Sequence, residues 1–207
     1  MNVIKPNDPN VIERAISVLK EGGVLAFPTE TTYGLGCDPR NKQALGKIYR
    51  IKGRDQSKAL PLVACSPEQV EQFFSYPEQA DRVADKYWHG PLTILLEPID
   101  MNVRRQMPVF KDGLAAVRVS SHPLVQALAC TYGFPLTATS ANLSGQKACL
   151  SADEVLESFK DLPKDRQPDL MIDGGILSES EPSTLIKVED DGNISVLRQG
   201  RLGYKLL

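Results

Sequence analysis

The sequence predicts an α/β fold in which a twisted mixed sheet is flanked by helices, with residues 1–207 forming a single domain. Apolar runs of strand length alternate with segments of helical periodicity up to about residue 140, a pattern typical of α/β proteins. After that point the runs indicate paired strands joined by turns, so we expect antiparallel as well as parallel pairs. The 207 residues are 42% hydrophobic and 24% charged, which is enough for one sizeable core.

The first half of the chain begins with a predicted helix. Asp8 can cap this helix with Pro9 in its first turn, and apolar residues then recur at helical spacing until Gly22 and Gly23 end it. A strand is predicted at 24–27. The same alternation continues with a helix at about 41–51, a strand at 60–64 and a helix that starts at Ser66 and Pro67.

The second half continues the alternation and then changes to strands. We predict a helix near 78–88, strands at 93–97 and 114–119, a helix from Ser121 to Gly133 and a strand at 135–139. Ser151 and Glu154 have the spacing of a capping box, which predicts one more short helix. The last predicted strands are 169–173, 183–188 and 194–198, with a turn at 189–193 joining the final pair.

The overall charge excludes one class of protein. Lys and Arg number 24 against 26 Asp and Glu, a net charge of -2, so the chain does not coat nucleic acid through global positive charge.

The sequence contains no membrane or export segment that its hydropathy would reveal. No window approaches the roughly 18 consecutive apolar residues of a membrane span, and the first residues lack the apolar segment of a signal peptide. We therefore expect a cytoplasmic protein with no membrane partner.

The cysteines and histidines give little sign of a metal site. His89 and His122 lack the spacing that places two ligands on one helical face. The cysteines lie far apart without a CxxC pair, so all are predicted to be reduced thiols. They are Cys37, Cys65, Cys130 and Cys149.

Positive charge is concentrated in the segment 40–58. It holds seven basic residues against Asp55, a net +6 that leaves -8 for the rest of the chain. Such a segment favours an anionic ligand such as a polyphosphate or a nucleic-acid backbone, although a solvated helix face explains the same charges. Gly53 is expected to end the helix, so Lys52 and Arg54 would leave it just before a strand, where α/β folds place ligand-binding groups.

Polar residues follow two of the predicted strands. The segment 28–36 offers threonine hydroxyls and glycine amides to a small polar ligand, or it forms a tight turn that needs glycine. In the segment 137–145, Ser140 and Asn142 would face one side of an extended chain and share a ligand, or an Asx turn explains them.

Arg118 lies inside an otherwise apolar predicted strand. A buried arginine is rarely tolerated without an anionic partner. That partner is either a carboxylate of the protein, which makes a structural salt bridge, or the carboxylate of a ligand. Ser183, Thr184 and Arg198 are weaker candidates for the same cleft.

Taken together, these segments resemble the YrdC/Sua5 family over about residues 10–201, the expected core of the domain. The family marker, lysine-x-arginine followed far downstream by serine-x-asparagine, is matched by Lys52 and Arg54 and by Ser140 and Asn142. The other matching segments are FPTETTYGLG at 27–36, VRVSSHPLVQAL at 117–128, TSANLSG at 139–145, EPSTLI at 181–186 and VLRQG at 196–200.

The resemblance implies a YrdC-like domain with a central basic cleft and the activity of a threonylcarbamoyl-AMP synthase, a nucleotidyltransferase. Such an enzyme converts L-threonine, bicarbonate and ATP to threonylcarbamoyl-AMP and pyrophosphate for t6A modification of tRNA position 37. Mg²⁺ is expected with ATP, without a tightly bound protein-ligated metal. The residues implied for ATP are Lys52, Arg54, Ser140, Asn142 and Arg198, with Lys52 and Arg54 catalytic, and those implied for threonine are Thr32, Arg118, Thr139 and Ser183.

Two positions depart from the usual family pattern. Asp55 and Ser120 each stand where proline is common, which would reshape two loops near the expected site. The chain also resembles the short form of the family, without an added C-terminal domain.

Two alternatives stay open. The chain is expected either to make the adenylate, or to be a family paralogue that binds RNA or the ribosome, or that uses another carbamoyl substrate. Further partners implied by the family are tRNA or double-stranded RNA and the proteins of the t6A transferase complex.

Overall fold

The structure is a computed structural model and describes residues 1–203. Residues 204–207, which belong to the predicted domain, lie outside the described residues. The first half contains β1 (Asn2–Ile4), α1 (Val11–Lys20), β2 (Leu25–Pro28), β3 (Tyr33–Gly36), α2 (Lys42–Lys52), β4 (Leu62–Ala64), α3 (Pro67–Glu71), β5 (Phe74–Ser75), α4 (Glu78–Tyr87) and β6 (Leu92–Pro98). The second half contains α5 (Met101–Gln106), β7 (Ala115–Val119), α6 (Pro123–Tyr132), β8 (Leu136–Thr137), β9 (Thr139–Ser140), α7 (Ala152–Phe159), β10 (Leu170–Ile172), β11 (Thr184–Val188) and β12 (Ile194–Arg198), with a 3₁₀ turn at Lys164–Arg166.

The predicted α/β class with mixed strand directions and flanking helices is confirmed, but the strands form two sheets instead of one. The first sheet has the order β1-β10-β2-β3-β9, and the second has the order β12-β11-β6-β7-β4-β8 with β5 beside β6. The single strand predicted at 135–139 is the point of division. Its first part, β8, pairs with β4 of the second sheet, and β9 pairs with β3 of the first.

Side chains on alternate sides of β2 show where the core lies. Leu25 and Phe27 belong to a cluster with α1 and α6, whereas Ala26 packs into the larger cluster with α2 and α7. This alternation follows from the two-residue period of a strand. Because β2 is covered on both sides, all its residues are buried and its sequence is continuously apolar.

The helix boundaries follow from local chemistry. Asn41 caps α2 by accepting from the amides of Gln43 and Ala44, and Gly53 ends it in the left-handed region at φ 57°. The predicted helix α7 is confirmed with Ser151 as its N-cap, which accepts from the amide of Glu154. The Glu154 carboxylate accepts from the Leu150 amide and not from that of Ser151, so the reciprocal bond of a capping box is shifted by one residue. The predicted turn between the last strands is also present, with the amide of Glu189 donating to the carbonyl of Asn193.

Several predicted details are wrong. The first helix has Asn10 and not Asp8 at its N-cap position, without a side-chain capping bond, and the Asp8 carboxylate accepts from the Asn10 amide. Helix α6 has His122, not Ser121, at its N-cap. The sequence pattern gives no indication of β1, β3, β5, α5 or the 3₁₀ turn. These are short elements, and a run of two to six residues carries little periodicity.

The prediction of four reduced thiols is wrong for one pair. Cys65, directly after β4, forms a disulfide with Cys130 of α6, with Cα atoms 5.4 Å apart. The two cysteines are separated by 65 residues in sequence, so only the packing of the helix on the sheet brings them together. Cys37 and Cys149 are free and buried.

Within residues 1–203, no helix has both the length and the apolar character that a membrane span requires.

Candidate active site

A cleft of about 370 Å³ lies where the two sheets meet. The first sheet contributes the turn between β2 and β3 and the strand β9, and the second contributes β4, β6, β7 and the ends of β11 and β12. Of the residues predicted to bind substrates, the lining includes Thr32, Arg54, Arg118, Thr139, Ser140, Ser183 and Arg198. Lys52 and Asn142 are absent from the described lining residues.

The turn between β2 and β3 forms one wall of the cleft. Thr29 Oγ1 accepts from the amides of Thr31 and Thr32 at 3.1 and 3.3 Å, which makes a hydroxyl-stabilised turn. The segment therefore contains a tight turn, but threonines and not glycine make it, since Gly34 and Gly36 lie in β3. The same turn presents Thr32 to the cleft.

Gly36 allows the adjacent strands to approach one another. A Cβ atom at this position would lie 2.5 Å from the carbonyl oxygen of Thr137 and 2.6 Å from the ring of Phe27. Both distances are shorter than real Cβ contacts. Glycine is thus required here by close packing of β3 against the chain that carries β8.

Arg54 enters the cleft from the end of α2, as the position of Gly53 predicts. Its Nη2 donates to the carbonyl of Ala59 at 3.2 Å, and its Nε is buried without a hydrogen-bond partner among the described residues. Asp55, the first departure from the family pattern, accepts from the Ser57 amide at 2.8 Å. This side-chain turn fixes the loop in place of a proline ring.

Lys52 lies behind the cleft wall and is 4% exposed. Its Nζ donates to the carbonyl oxygens of Ser140 and Asn142 at 2.5 and 3.0 Å, and to Asn142 Oδ1 at 3.3 Å. Burial, and next the charge of Arg54, lower the pKa of Lys52 to about 8. The amine therefore ties the end of α2 to the loop after β9.

Asn142 is also occupied by contacts inside the protein. Its Nδ2 donates to the carbonyls of Leu143 and Gln146 at 2.9 and 2.7 Å, and the side chain is buried. Ser140, by contrast, lines the cleft. The two residues of the serine-x-asparagine pair thus have separate positions, so the expected shared ligand does not follow from this geometry.

Arg118 lines the cleft from β7 and has a carboxylate partner in the protein. Its Nη1 lies 2.5 Å from Glu30 Oε1, with the two side chains 9% and 10% exposed. Ser120, the second departure from the family pattern, donates from Oγ to Glu30 Oε2 at 2.5 Å. The salt-bridge interpretation of Arg118 is therefore correct, and the same side chain also faces the cleft.

Ser183 and Arg198 also line the cleft, from the residue before β11 and from the end of β12. Arg198 donates from Nε and Nη2 to the carbonyl of Ser183 and from Nη2 to its hydroxyl. Thr93 Oγ1 lies 2.7 Å from Ser183 Oγ. Burial, and next the charge of Arg118, lower the pKa of Arg198. The positive charges of Arg118 and Arg198 repel each other, and an anion bound between them would relieve that repulsion.

The charges around the cleft are mainly positive. Among the described lining residues, Arg54, Arg118, Lys147 and Arg198 are basic and Glu179 is acidic. No group of three or more histidine, cysteine or acidic side chains suitable for a metal occurs in residues 1–203. The basic and hydroxyl side chains of the lining thus fit an anionic ligand directly.

The basic segment 40–58 is not a free cationic surface. Arg40 pairs with Asp38 at 2.8 Å and lies 4.1 Å from the ring centre of Phe134. Farther along the segment, Lys47 pairs with Asp169 at 2.6 Å and Arg50 with Asp165 at 3.8 Å. These acids lie far away in the sequence or outside the segment, so counting charge along the chain overestimates the local potential.

Some residues of the site were missed in the sequence. Thr93 occupies an apolar strand, and Lys147 and Glu179 lie in loops whose composition gives no sign of a site. The sequence indicates Glu30 only indirectly, because a buried Arg118 requires an anionic partner. The sequence does not show which of its many carboxylates meets that demand.

Comparison with known proteins gives consistent results. A family model described as Sua5_yciO_yrdC, telomere recombination, matches residues 17–200. A threonylcarbamoyl-AMP synthase of Vibrio vulnificus (strain YJ016) is 36% identical over 193 residues, which cover 91% of this chain and 98% of the relative.

Two solved structures are also similar. E. coli YciO has a TM-score of 0.81 at 29% identity, covering 96% of this chain and 94% of that chain. P. abyssi Sua5 complexed with L-threonine has a TM-score of 0.82 at 31% identity, covering 96% of this chain. The match spans only 57% of that longer Sua5 chain. By sequence and by fold, the chain belongs to the Sua5/YciO/YrdC family.

Proposed function

We propose that the protein is an L-threonylcarbamoyladenylate synthase, which makes threonylcarbamoyl-AMP and pyrophosphate from L-threonine, bicarbonate and ATP. The observation that carries this proposal is the convergence of Arg54, Arg118 and Arg198 with several hydroxyl groups on one cleft. The relative from Vibrio vulnificus has this activity in its name, and the similar P. abyssi Sua5 binds L-threonine.

Threonine is assigned to the part of the cleft lined by Arg118. A guanidinium group binds a carboxylate with two parallel hydrogen bonds, and Arg118 retains N–H groups beyond the one that contacts Glu30. Thr32, Thr139 and Ser183 line the same cleft and supply hydroxyl groups to the amine and hydroxyl of the substrate.

ATP is assigned to Arg54 and the lining residues predicted to act with it. The buried, unpartnered Nε of Arg54 supports this assignment, because a polar atom without a partner is costly unless a ligand satisfies it. Ser140 and Arg198 complete the predicted ATP contacts that line the cleft. For Lys52 and Asn142 we propose a supporting role, in which their mutual contacts hold the loop that presents Ser140.

The reaction needs positioning and charge, without a nucleophile of the protein. The threonine amine combines with bicarbonate to give a carbamate and water. A carbamate oxygen then forms a bond to the α-phosphorus as the bond between that phosphorus and the bridging oxygen of pyrophosphate breaks. The arginines hold two anions together and stabilise the charge that moves onto pyrophosphate. Mg²⁺ would bind through the nucleotide phosphates and reduce their charge.

Pyrophosphate release from ATP, with bicarbonate and magnesium, tests the proposal. We expect release that depends on L-threonine and is lost in Arg118→Ala, with Lys42→Ala on the exposed face of α2 as the matched control. Pyrophosphate release that does not depend on L-threonine would contradict the proposal and favour a paralogue with another carbamoyl substrate.

The RNA-binding alternative has less support. The ion pairs of Arg40, Lys47 and Arg50 reduce the charge available to a phosphate backbone. RNA binding with a steep salt dependence and without threonine-dependent chemistry would favour the alternative.

We propose that the t6A transferase complex uses the product to modify tRNA in the cytoplasm, and that residues 1–207 act as one domain.

A further inference from the structure

We propose that Ser120 and Glu30 are positioning residues that orient the Arg118 guanidinium for the carboxylate of the substrate. This inference rests on the proposed function, in which Arg118 binds L-threonine. It assigns a role to two side chains that do not touch the substrate, and it identifies an α-amino acid carboxylate as the group that the arrangement selects.

The direction of each hydrogen bond in this chain of contacts is fixed. Ser120 Oγ accepts from the backbone amide of His122 at 3.1 Å. An amide can only donate, so the hydroxyl proton of Ser120 is directed to its other neighbour, Glu30 Oε2 at 2.5 Å. The second carboxylate oxygen, Oε1, accepts from Arg118 Nη1 at 2.5 Å. Each group thus orients the next.

Ser120 is itself held firmly. It is fully buried, its carbonyl accepts from Gln126 Nε2 at 2.8 Å, and it lies directly after β7. The backbone of Glu30 is fixed as well, since its carbonyl accepts from Arg201 Nη1 at 3.1 Å. Glu30 is therefore held by Arg201 at its backbone carbonyl and by Ser120 at its carboxylate. The carboxylate has little freedom to follow movements of Arg118.

Glu30 contacts Arg118 without itself being among the described lining residues, to which Arg118 belongs. A guanidinium group is planar and rigid, so fixing one nitrogen sets the direction of the remaining N–H groups. Binding groups must be held within about 0.5 Å of the productive geometry, and the buried carboxylate supplies that constraint.

The pairing also affects which ligand is selected. Glu30 balances the charge of Arg118 before any ligand binds, so attraction to an arbitrary anion is weakened. The geometry of the remaining N–H groups, which matches a planar carboxylate, then contributes most of the discrimination. Loss of the Ser120 contact should reduce this discrimination without removing the charge.

The test compares Ser120→Ala and Glu30→Gln with the wild type and with Ser121→Ala, an exposed neighbour. The substrates are L-threonine and L-threoninamide, which has the same amine and hydroxyl but no carboxylate. We expect the KM for L-threonine to rise roughly tenfold in Ser120→Ala, with kcat nearly unchanged because the carboxylate contact is made equally before and during reaction. The preference for L-threonine over L-threoninamide should fall in both variants, and Ser121→Ala should resemble the wild type.

The outcomes separate the two proposals. An active wild type with an unchanged KM and preference in folded Ser120→Ala would overturn the positioning role and leave the synthase function standing. Equal losses for both substrates would also overturn it, since they would indicate a general structural defect. A wild type without threonine-dependent pyrophosphate release would remove the proposed function and this inference with it.

Discussion

Arg118 and Glu30 form an ion pair at the wall of the cleft, with Nη1 and Oε1 2.5 Å apart and the side chains only 9% and 10% exposed. Removing one partner of a buried pair leaves an uncompensated charge. We expect Glu30→Ala to lower the free energy of unfolding by about 3–5 kcal/mol, measured by urea denaturation.

An exposed ion pair provides the control for this prediction. Arg82 and Glu78 are 73% and 70% exposed, so Glu78→Ala should change stability by about 1 kcal/mol or less. Similar small losses in both variants would show that Glu30 does not compensate Arg118.

The lowered pKa of Lys52 predicts that the free energy of unfolding changes with pH. Its pKa is about 8 in the folded protein and 10.5 as the ordinary value, so the unfolded chain binds the additional proton between these pH values. Stability from this residue therefore increases as the pH rises from about 8 to 10.5. In denaturation at several pH values, the wild type should become more stable relative to Lys52→Met over this range. A constant difference would contradict the lowered pKa.

The disulfide between Cys65 and Cys130 predicts how many thiols react with a thiol reagent. Unfolded, unreduced protein should show two reactive thiols, from Cys37 and Cys149, and reduced protein should show four. The disulfide joins residues separated by 65 positions, and closing a loop of that length stabilises the folded state by about 4 kcal/mol. Cys130→Ser should lose about that amount, and four thiols before reduction would contradict the pairing.

The elements best predicted from the sequence are those with clear local signals. Helix α2, its end at Gly53 and the N-cap of α7 at Ser151 depend on neighbouring residues, so the sequence alone indicates them. The division into two sheets depends on how β8 and β9 pair with distant strands, and no local pattern records such partners. The disulfide was missed for the same reason.

The site shows the same division between local and distant information. The family marker led to Arg54 and Ser140, which line the cleft. It did not show that Lys52 and Asn142 bond to each other behind the wall. Nor did it show that Glu30 is the partner of Arg118, because that contact joins residues 88 positions apart.

Direct analysis of the product tests the central claim, that one cleft joins threonine, bicarbonate and ATP. The protein would be incubated with ATP, magnesium, L-threonine and ¹³C-bicarbonate, and the nucleotides analysed by mass spectrometry. We predict threonylcarbamoyl-AMP that carries the label, with an amount that falls strongly in both Arg54→Ala and Arg118→Ala. Absence of a labelled threonine adduct of AMP from the wild type, with ATP still bound, would contradict the account.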